Sequence, residues 1–150
     1  MNEFILSNDL KNSIINYPPS LSSLVVDKGH VKRFAESIGD TNPLYFDSDY
    51  AKSLGYLDII TPPTFLRCVQ PNFPDILELS KFKNILDVSS EWEYIENVYI
   101  GDTISSSTVI KSVIQRKTKV GLSIFLIGLI TYLNQNNSLI ASQKFTYIKY

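Results

Sequence analysis

Residues 34–65 read FAESIGDTNPLYFDSDYAKSLGYLDIITPPTF, and this stretch contains several residues that start or stop helices. Just before it, Asp27 can accept hydrogen bonds from the free N–H groups of a helix that begins near Lys28. The apolar residues of that helix recur at intervals of three and four, namely Val31, Phe34, Ala35 and Ile38. Gly39 suits the left-handed backbone that ends many helices. We therefore predict a helix that ends at Gly39.

A turn is predicted directly after this helix, at Gly39-Asp40-Thr41-Asn42-Pro43. Asp and Asn side chains accept hydrogen bonds from nearby backbone N–H groups, and an Asn-Pro pair favours a turn. Local chemistry alone therefore favours a structural role for this segment. A second, short helix is predicted from about Ser48 to Leu54, capped by Asp47 or Ser48 and closed by Gly55.

A third helix is predicted to begin at Pro62 and Pro63, since proline is well tolerated in the first turn of a helix. It continues through Phe65 and Val69 and ends before Pro71. The stretch from Pro71 to Asp75 is predicted to be a loop. This helix is short and apolar, so we expect it to cover a sheet.

The second half of the chain shows the alternation of apolar and polar residues that is typical of strands. One face of the first strand is predicted to carry Leu86, Val88, Trp92 and Tyr94, and the other face Asp87, Glu91 and Glu93. After a turn at Gly101-Asp102, strands are predicted over 103–115, 119–133 and 139–150, with a hairpin loop at 134–138. Four long strands with short connections predict an antiparallel meander, and helices that precede strands predict an α+β fold.

Residues 120–133, VGLSIFLIGLITYL, are the most apolar segment of the chain. The segment is shorter than the ~20 residues that a membrane-spanning helix needs. It is predicted to be a strand buried on both faces, with the third helix covering one of them. If the last strand lies at an edge of the sheet, its unpaired backbone groups are available to another chain. We therefore expect a homodimer or a heterodimer.

Composition excludes several classes of function. The 150 residues predict a single domain, residues 1–150, and the net charge of −1 argues against a nucleic-acid-binding protein. The N-terminal residues do not resemble a signal peptide, so we expect a cytoplasmic protein that is not bound to a membrane. GxGxxG, P-loop and GxSxG motifs are absent, and one histidine (His30) with one cysteine (Cys68) disfavours a catalytic triad or a zinc site. We expect neither a cofactor nor a metal.

Several segments together resemble the MaoC-like, R-specific enoyl-thioester hydratase and 3-hydroxyacyl dehydratase family. They are FAESIGDTNPLYFDSDYA, GY followed by IITPPTF, EWEY, GDT and TYLNQNNSLIASQKFTYI, within about residues 20 to 149. The likeness is nearest to the N-terminal-type half-domain of that family, which includes the non-catalytic subunits of heterodimeric 3-hydroxyacyl-carrier-protein dehydratases. The resemblance implies a hot-dog fold, in which a long antiparallel sheet wraps around a central helix, here about residues 62–71. It also implies a role in fatty acid metabolism.

The resemblance further implies a reversible syn hydration of an acyl thioester. In the family, an aspartate and a histidine of a D-x-N-P-x-H motif share the proton transfers around one water. The matching residues here are Asp40 and Asn42, and Tyr45 stands at the histidine position. A phenol with a pKa of about 10 is a poor substitute at neutral pH for an imidazole with a pKa of about 6.5. The sequence therefore predicts an incomplete catalytic set.

A second departure concerns the substrate carbonyl, which the resemblance implies is held by backbone N–H groups at the start of the central helix. Pro62 and Pro63 have no N–H group, which leaves Thr64 and Phe65 as donors. The residues expected to bind substrate are Pro63, Thr64, Phe65, Tyr56, Trp92 and Tyr94. The aromatic residues of this set equally suit a plain hydrophobic core.

These departures predict a subunit that binds the acyl chain of a CoA or carrier-protein thioester and completes the site of a catalytic MaoC-like partner. One alternative is a self-sufficient homodimeric hydratase in which Asp40 acts with Tyr45 and a water molecule. Another is a non-enzymatic module that binds acyl thioesters. A hot-dog thioesterase is disfavoured because residues 62–71 contain no carboxylate and Asp58 is the only acid just before them.

Overall fold

A computed structural model describes residues 5–71, 76 and 79–150. The helices are α1 (Asn8–Ile15), α2 (Lys28–Ser37) and α3 (Ser48–Ser53), together with two 3-10 helices at Pro43–Tyr45 and Pro63–Val69. The strands are β1 (Ser20–Val25), β2 (Ile85–Tyr94), β3 (Thr103–Thr118), β4 (Gly121–Leu133) and β5 (Leu139–Lys149). The predicted loop at 71–75 lies outside the described residues except for its first position. Within the described part, no helix has the length and hydropathy needed to cross a membrane.

All five strands form one antiparallel sheet in the order β1-β3-β4-β5-β2. The meander of β3, β4 and β5 agrees with the prediction, but β2 pairs with β5 rather than with its sequence neighbour β3. The last strand is therefore internal, so the condition under which it would offer unpaired backbone groups to another chain is not met. The edges are β2 and β1, and β1 was not predicted from the sequence.

The strand β4 is buried on one face only. Ile124, Leu126, Ile130 and Tyr132 are inaccessible on the inner face, whereas Phe125, Ile127 and Leu129 on the outer face are partly exposed. The prediction of a strand buried on both faces is therefore wrong, because the helices cover only the inner face. Gly128 lies on that inner face, and an added Cβ would stand 2.3 Å from the ring of Phe145 and 2.5 Å from the carbonyl of Val109.

The segment Pro63–Val69, here called the central helix, lies against the inner face of the sheet. It starts within one residue of the predicted position and ends before Pro71, but its geometry is 3-10. Phe65, Leu66 and Val69 are at most 2% exposed. Each such side chain contributes about 1.5–3 kcal/mol through burial. The ring of Phe65 meets that of Phe34 from α2 edge to face, with centroids 5.5 Å apart.

A β-bulge changes the faces of β2. The register with β5 shifts between Asp87 and Ser89, so that Asp87 pairs with the buried Tyr147 while Trp92 pairs with the buried Gln143. Asp87 therefore shares the inner face with Trp92 and Tyr94, and Leu86 does not. The predicted grouping of Leu86 and Val88 with Trp92 and Tyr94 is wrong because simple alternation does not allow for the extra residue of a bulge.

The predicted helix ends are confirmed. Asp27 and Asp47 accept hydrogen bonds from backbone N–H groups at the starts of α2 and α3. Gly39 and Gly55 follow these helices with φ of 70° and 89°. In contrast, α1 was not predicted, because its sequence NDLKNSII is mostly polar and only Ile14 is buried.

Candidate functional site

The Asp-x-Asn-Pro motif forms a tight loop between α2 and α3. One carboxylate oxygen of Asp40, Oδ1, accepts a hydrogen bond from the N–H of Asn42 at 3.0 Å. Asn42 Oδ1 in turn accepts from the N–H of Leu44 at 3.1 Å and caps the 3-10 helix Pro43–Tyr45. Both side chains therefore act as turn formers, as local chemistry predicts. Within the described chain, Oδ2 of Asp40 accepts no hydrogen bond.

Tyr45 lies in this loop with only 7% of its surface exposed. Its pKa is raised above the ordinary value, first by burial and then by the negative charge of Asp40. The Asn42 side chain acts in the opposite direction, and Tyr56 raises the pKa slightly. Because the ordinary value is already about 10, the phenol is protonated at neutral pH. It can donate a hydrogen bond to Asp40 or to a ligand, but it cannot serve as a base.

A backbone hydrogen bond connects the motif loop to the segment that leads into the central helix. Ile60 donates its N–H to the carbonyl of Leu44 at 3.2 Å, and Thr61 donates to the carbonyl of Val98 at 2.9 Å. Ile60 also forms an isolated bridge with Tyr99. The first bond ties the residue next to Tyr45 to Ile60, and the second ties Thr61, which precedes Pro62, to the segment after β2.

The start of the central helix offers fewer N–H groups than the sequence predicts. The N–H of Phe65 donates to the carbonyl of Pro62 at 2.9 Å, so it is not free. The N–H of Thr64 has no acceptor among the described residues, and Thr64 is exposed. The donor set at this corner is therefore Thr64 alone, because Pro62 and Pro63 contribute none.

A small cavity of about 70 Å³ lies beside this corner. Thr61, Pro63 and Leu66 form one wall, and the other is formed by the end of β2 and the residues after it, including Tyr94, Glu96 and Asn97. The Tyr94 ring stacks on that of Trp92 with centroids 5.6 Å apart. Trp92 stacks in turn on Tyr132 at 5.5 Å.

A polar network connects the central helix to the inner face of the sheet, and the sequence analysis missed it. Arg67 pairs with Asp87 at 3.0 Å, and Ser90 donates to Asp87 at 3.2 Å. The fully buried Gln143 donates from Nε2 to Ser90 at 2.9 Å. It also accepts at Oε1 from Tyr132 at 3.2 Å, and burial raises the pKa of that phenol. The sequence contained one sign of this network. Gln143 lies at an inward-facing position of an apolar strand, where a polar side chain needs a hydrogen-bond partner.

The structure does not bring all the predicted substrate-binding residues together. Pro63 and Tyr94 line the small cavity, with Trp92 stacked behind, and Tyr56 is close enough to Tyr45 to influence its pKa. Phe65 instead lines a separate groove with residues of α2 and β1. Among the described residues, no three His, Cys, Asp or Glu side chains are placed to hold a metal ion.

Comparison with known proteins identifies the family. Residues 17–143 match the family described as FAS1-like, dehydratase domain region. This chain belongs to that dehydratase family. Among curated relatives, a UPF0336 protein of Streptomyces avermitilis is 32% identical over 104 residues, which cover 65% of this chain and 68% of the relative. A probable enoyl-CoA hydratase alpha subunit of Thermomonospora curvata is 23% identical over 138 residues, covering 80% of this chain but 43% of that protein.

Solved structures confirm the fold of this dehydratase-family chain. The ChsH1-ChsH2 complex from Mycobacterium tuberculosis aligns with a TM-score of 0.75 at 20% identity, covering 88% of this chain and 86% of that one. The truncated HadBC (3R-hydroxyacyl-ACP dehydratase) complex from the same organism aligns with a TM-score of 0.68 at 18% identity, covering 90% of this chain and 98% of that one. The MaoC-like resemblance and the hot-dog fold predicted from the sequence are thereby confirmed, with a sheet that is not closed.

Proposed function

We propose that this chain is a substrate-binding subunit with an incomplete catalytic set, which acts on 3-hydroxyacyl or enoyl thioesters of CoA or carrier protein together with a catalytic MaoC-like partner. The observation that carries the proposal is Tyr45, buried beside Asp40 with its pKa raised. Hydration requires one group that takes a proton from water and one that delivers a proton to the substrate. Asp40 could fill one of these roles, but a permanently protonated phenol cannot alternate between them.

The reduced number of free N–H groups at the start of the central helix supports the same proposal. Developing negative charge on a thioester carbonyl is best stabilised by at least two preorganised donors. Thr64 offers one N–H group here, while that of Phe65 is already bonded within the chain. In the proposed role, Pro63, Thr64 and Tyr94 contact the thioester end of the substrate without activating it.

The remaining predicted residues divide between substrate and scaffold. Trp92 supports Tyr94 by stacking, and Tyr56 lies beside Tyr45. In the proposed role Trp92 therefore holds a substrate-contacting ring, and Tyr56 contacts the substrate next to the motif loop. Phe65 belongs to the core contact with Phe34, so in this proposal it shapes the helix rather than touching the acyl chain. No cofactor is needed, because hydration moves only water and protons.

A partner fits best at the β2 edge. This strand is exposed along most of its length, and Ile85, Leu86, Val88 and Tyr94 are each at least 45% exposed. An open strand with apolar side chains is a pairing surface. The small cavity at Tyr94 lies at one end of the same edge, so a chain paired there would reach it. The complexes named ChsH1-ChsH2 and HadBC, and a relative named an alpha subunit, add support by analogy.

The proposal is tested by purifying the native protein and identifying any co-purifying chain with an intact D-x-N-P-x-H motif. The reconstituted pair is then assayed for hydration of enoyl thioesters. Asp40→Asn in this chain is expected to leave most activity, whereas the same change at the partner's motif aspartate is expected to abolish it. Loss of activity from Asp40→Asn alone, in a pair that still assembles, would contradict the proposal.

A further inference from the structure

A groove of about 450 Å³ lies on the β1 side of the central helix, away from the β2 edge and the cavity at Tyr94. Its floor is apolar and is formed by Leu24 of β1, Phe34 of α2 and Phe65 of the central helix. Its volume lies within the range of about 300–1,000 Å³ that small-molecule sites occupy. The groove is independent of the function proposed above, since none of Asp40, Asn42 and Tyr45 lines it.

One face of α2 gives the groove its polar wall. His30, Arg33 and Ser37 recur at intervals of three and four residues, so they lie on the same side of the helix and line the groove with Phe34. The opposite side of α2, with Val31 and Ala35, is buried in the core. The polar face is therefore not required for packing.

Arg33 supplies a positive charge to the lining of the groove. It forms no ion pair or hydrogen bond with the described residues, although its guanidinium and the Asp27 carboxylate both lie close to Gly29, and none of the lining residues is acidic. By contrast Lys32, one position away on the helix, faces Glu36 at 3.9 Å. A planar guanidinium without a partner binds carboxylates and phosphates through two parallel hydrogen bonds. Because an apolar floor lies next to this cation, the groove suits a ligand with one anionic end and one apolar end.

We propose that this groove binds an anionic amphiphile, with Arg33 and His30 contacting the carboxylate or phosphate head and Phe34 and Leu24 contacting the apolar chain above the buried ring of Phe65. Decanoate and decyl phosphate are suitable probes of the two head groups. Binding of either supports the proposal, and the tighter probe identifies the head group. Decanol tests whether the charge is needed, and acetate tests whether the chain is needed.

The single cysteine of the protein reports on occupancy, because Cys68 is exposed and lines this groove. Burial raises the pKa of its thiol, so modification is measured at mildly alkaline pH. A ligand in the groove is expected to slow the reaction of Cys68 with a thiol reagent, with a concentration dependence that matches binding measured by calorimetry.

Arg33→Gln and Lys32→Gln form a matched pair, since both remove one positive charge from the exposed side of the same helix. We expect Arg33→Gln to weaken binding of the anionic probe at least tenfold and Lys32→Gln to change it less than twofold. Decanol and acetate are expected to bind at least tenfold more weakly than decanoate. The proposal is overturned if neither anionic probe binds saturably, if binding leaves Cys68 unprotected, if the two variants behave alike, or if decanol binds as tightly as decanoate.

Discussion

Tyr45 fits into the fold at the position of the family's catalytic histidine but cannot carry out the proton transfers of an imidazole. Its ring fills a buried position in the motif loop, and its hydroxyl lies near Asp40 and Asn42. The identity of this residue was readable from the sequence, but its burial was not. The difference between Thr64 and Phe65 could not be predicted either, because the sequence does not show which backbone N–H groups are hydrogen-bonded. In the structure the N–H of Phe65 is bonded to Pro62, whereas that of Thr64 has no acceptor among the described residues.

The raised pKa of Tyr45 predicts a specific dependence of stability on pH. The folded protein holds the phenolic proton more tightly than the unfolded chain, whose tyrosine has a pKa of about 10. This stabilisation is complete below pH about 10 and is lost as the pH rises through the folded-state pKa. Tyr45→Phe removes that loss, so its free energy of unfolding is expected to fall less than that of the wild type above pH about 10.

Urea unfolding at neutral and alkaline pH measures this effect. Tyr50→Phe is the matched control, since Tyr50 is 41% exposed on the nearby helix α3. Equal alkaline losses for the wild type and Tyr45→Phe would contradict the argument.

At the scale of elements, sequence reasoning succeeded where a side chain determines its own local geometry. Asp27 and Asp47 cap helices, and glycines end them, because those interactions span only a few residues. It failed where the tertiary contacts decide. The bulge in β2 lies in its pairing with β5, and β1 pairs with β3, which is about 80 residues away in the sequence, so neither feature can be read from local patterns.

The close approach of β4 to Phe145 predicts the effect of adding one methyl group. In Gly128→Ala the new Cβ meets both a ring and a backbone carbonyl, so overpacking is expected to cost about 1–3 kcal/mol of the free energy of unfolding. Phe145→Leu should relieve part of this clash, making the double variant more stable than the sum of the two single changes predicts. If the losses of unfolding free energy of the two single variants simply add in the double variant, as measured by urea unfolding, the ring of Phe145 is not what the added methyl group clashes with.

At the scale of the whole molecule, the sheet has two open edges of different character. The β2 edge carries several exposed apolar side chains beside the small cavity, whereas β1 is shorter and rich in serine. The sequence analysis considered the last strand as a pairing surface on the condition that it lies at an edge, and the structure shows β5 inside the sheet. Local patterns could not decide this, because strand order in a sheet depends on long-range pairing.

A charge placed on the β2 edge tests the partner surface proposed above. Leu86→Lys on β2 should convert the purified assembly to single chains, because a lysine at an open edge disfavours strand pairing. Leu21→Lys on β1 is the matched control, since Leu21 is 75% exposed at the opposite edge, and it should leave the assembly intact. Analytical ultracentrifugation distinguishes these results, and dissociation by Leu21→Lys alone would move the interface to β1.

The central claim is that this chain binds thioesters without completing their hydration alone. The most direct measurement is the activity of the purified chain by itself on a panel of enoyl-CoA esters, alongside Asp40→Asn. We expect saturable binding of the thioester and no turnover above that of Asp40→Asn. Clear turnover that Asp40→Asn abolishes would contradict the claim and show that Asp40 and Tyr45 form a working site.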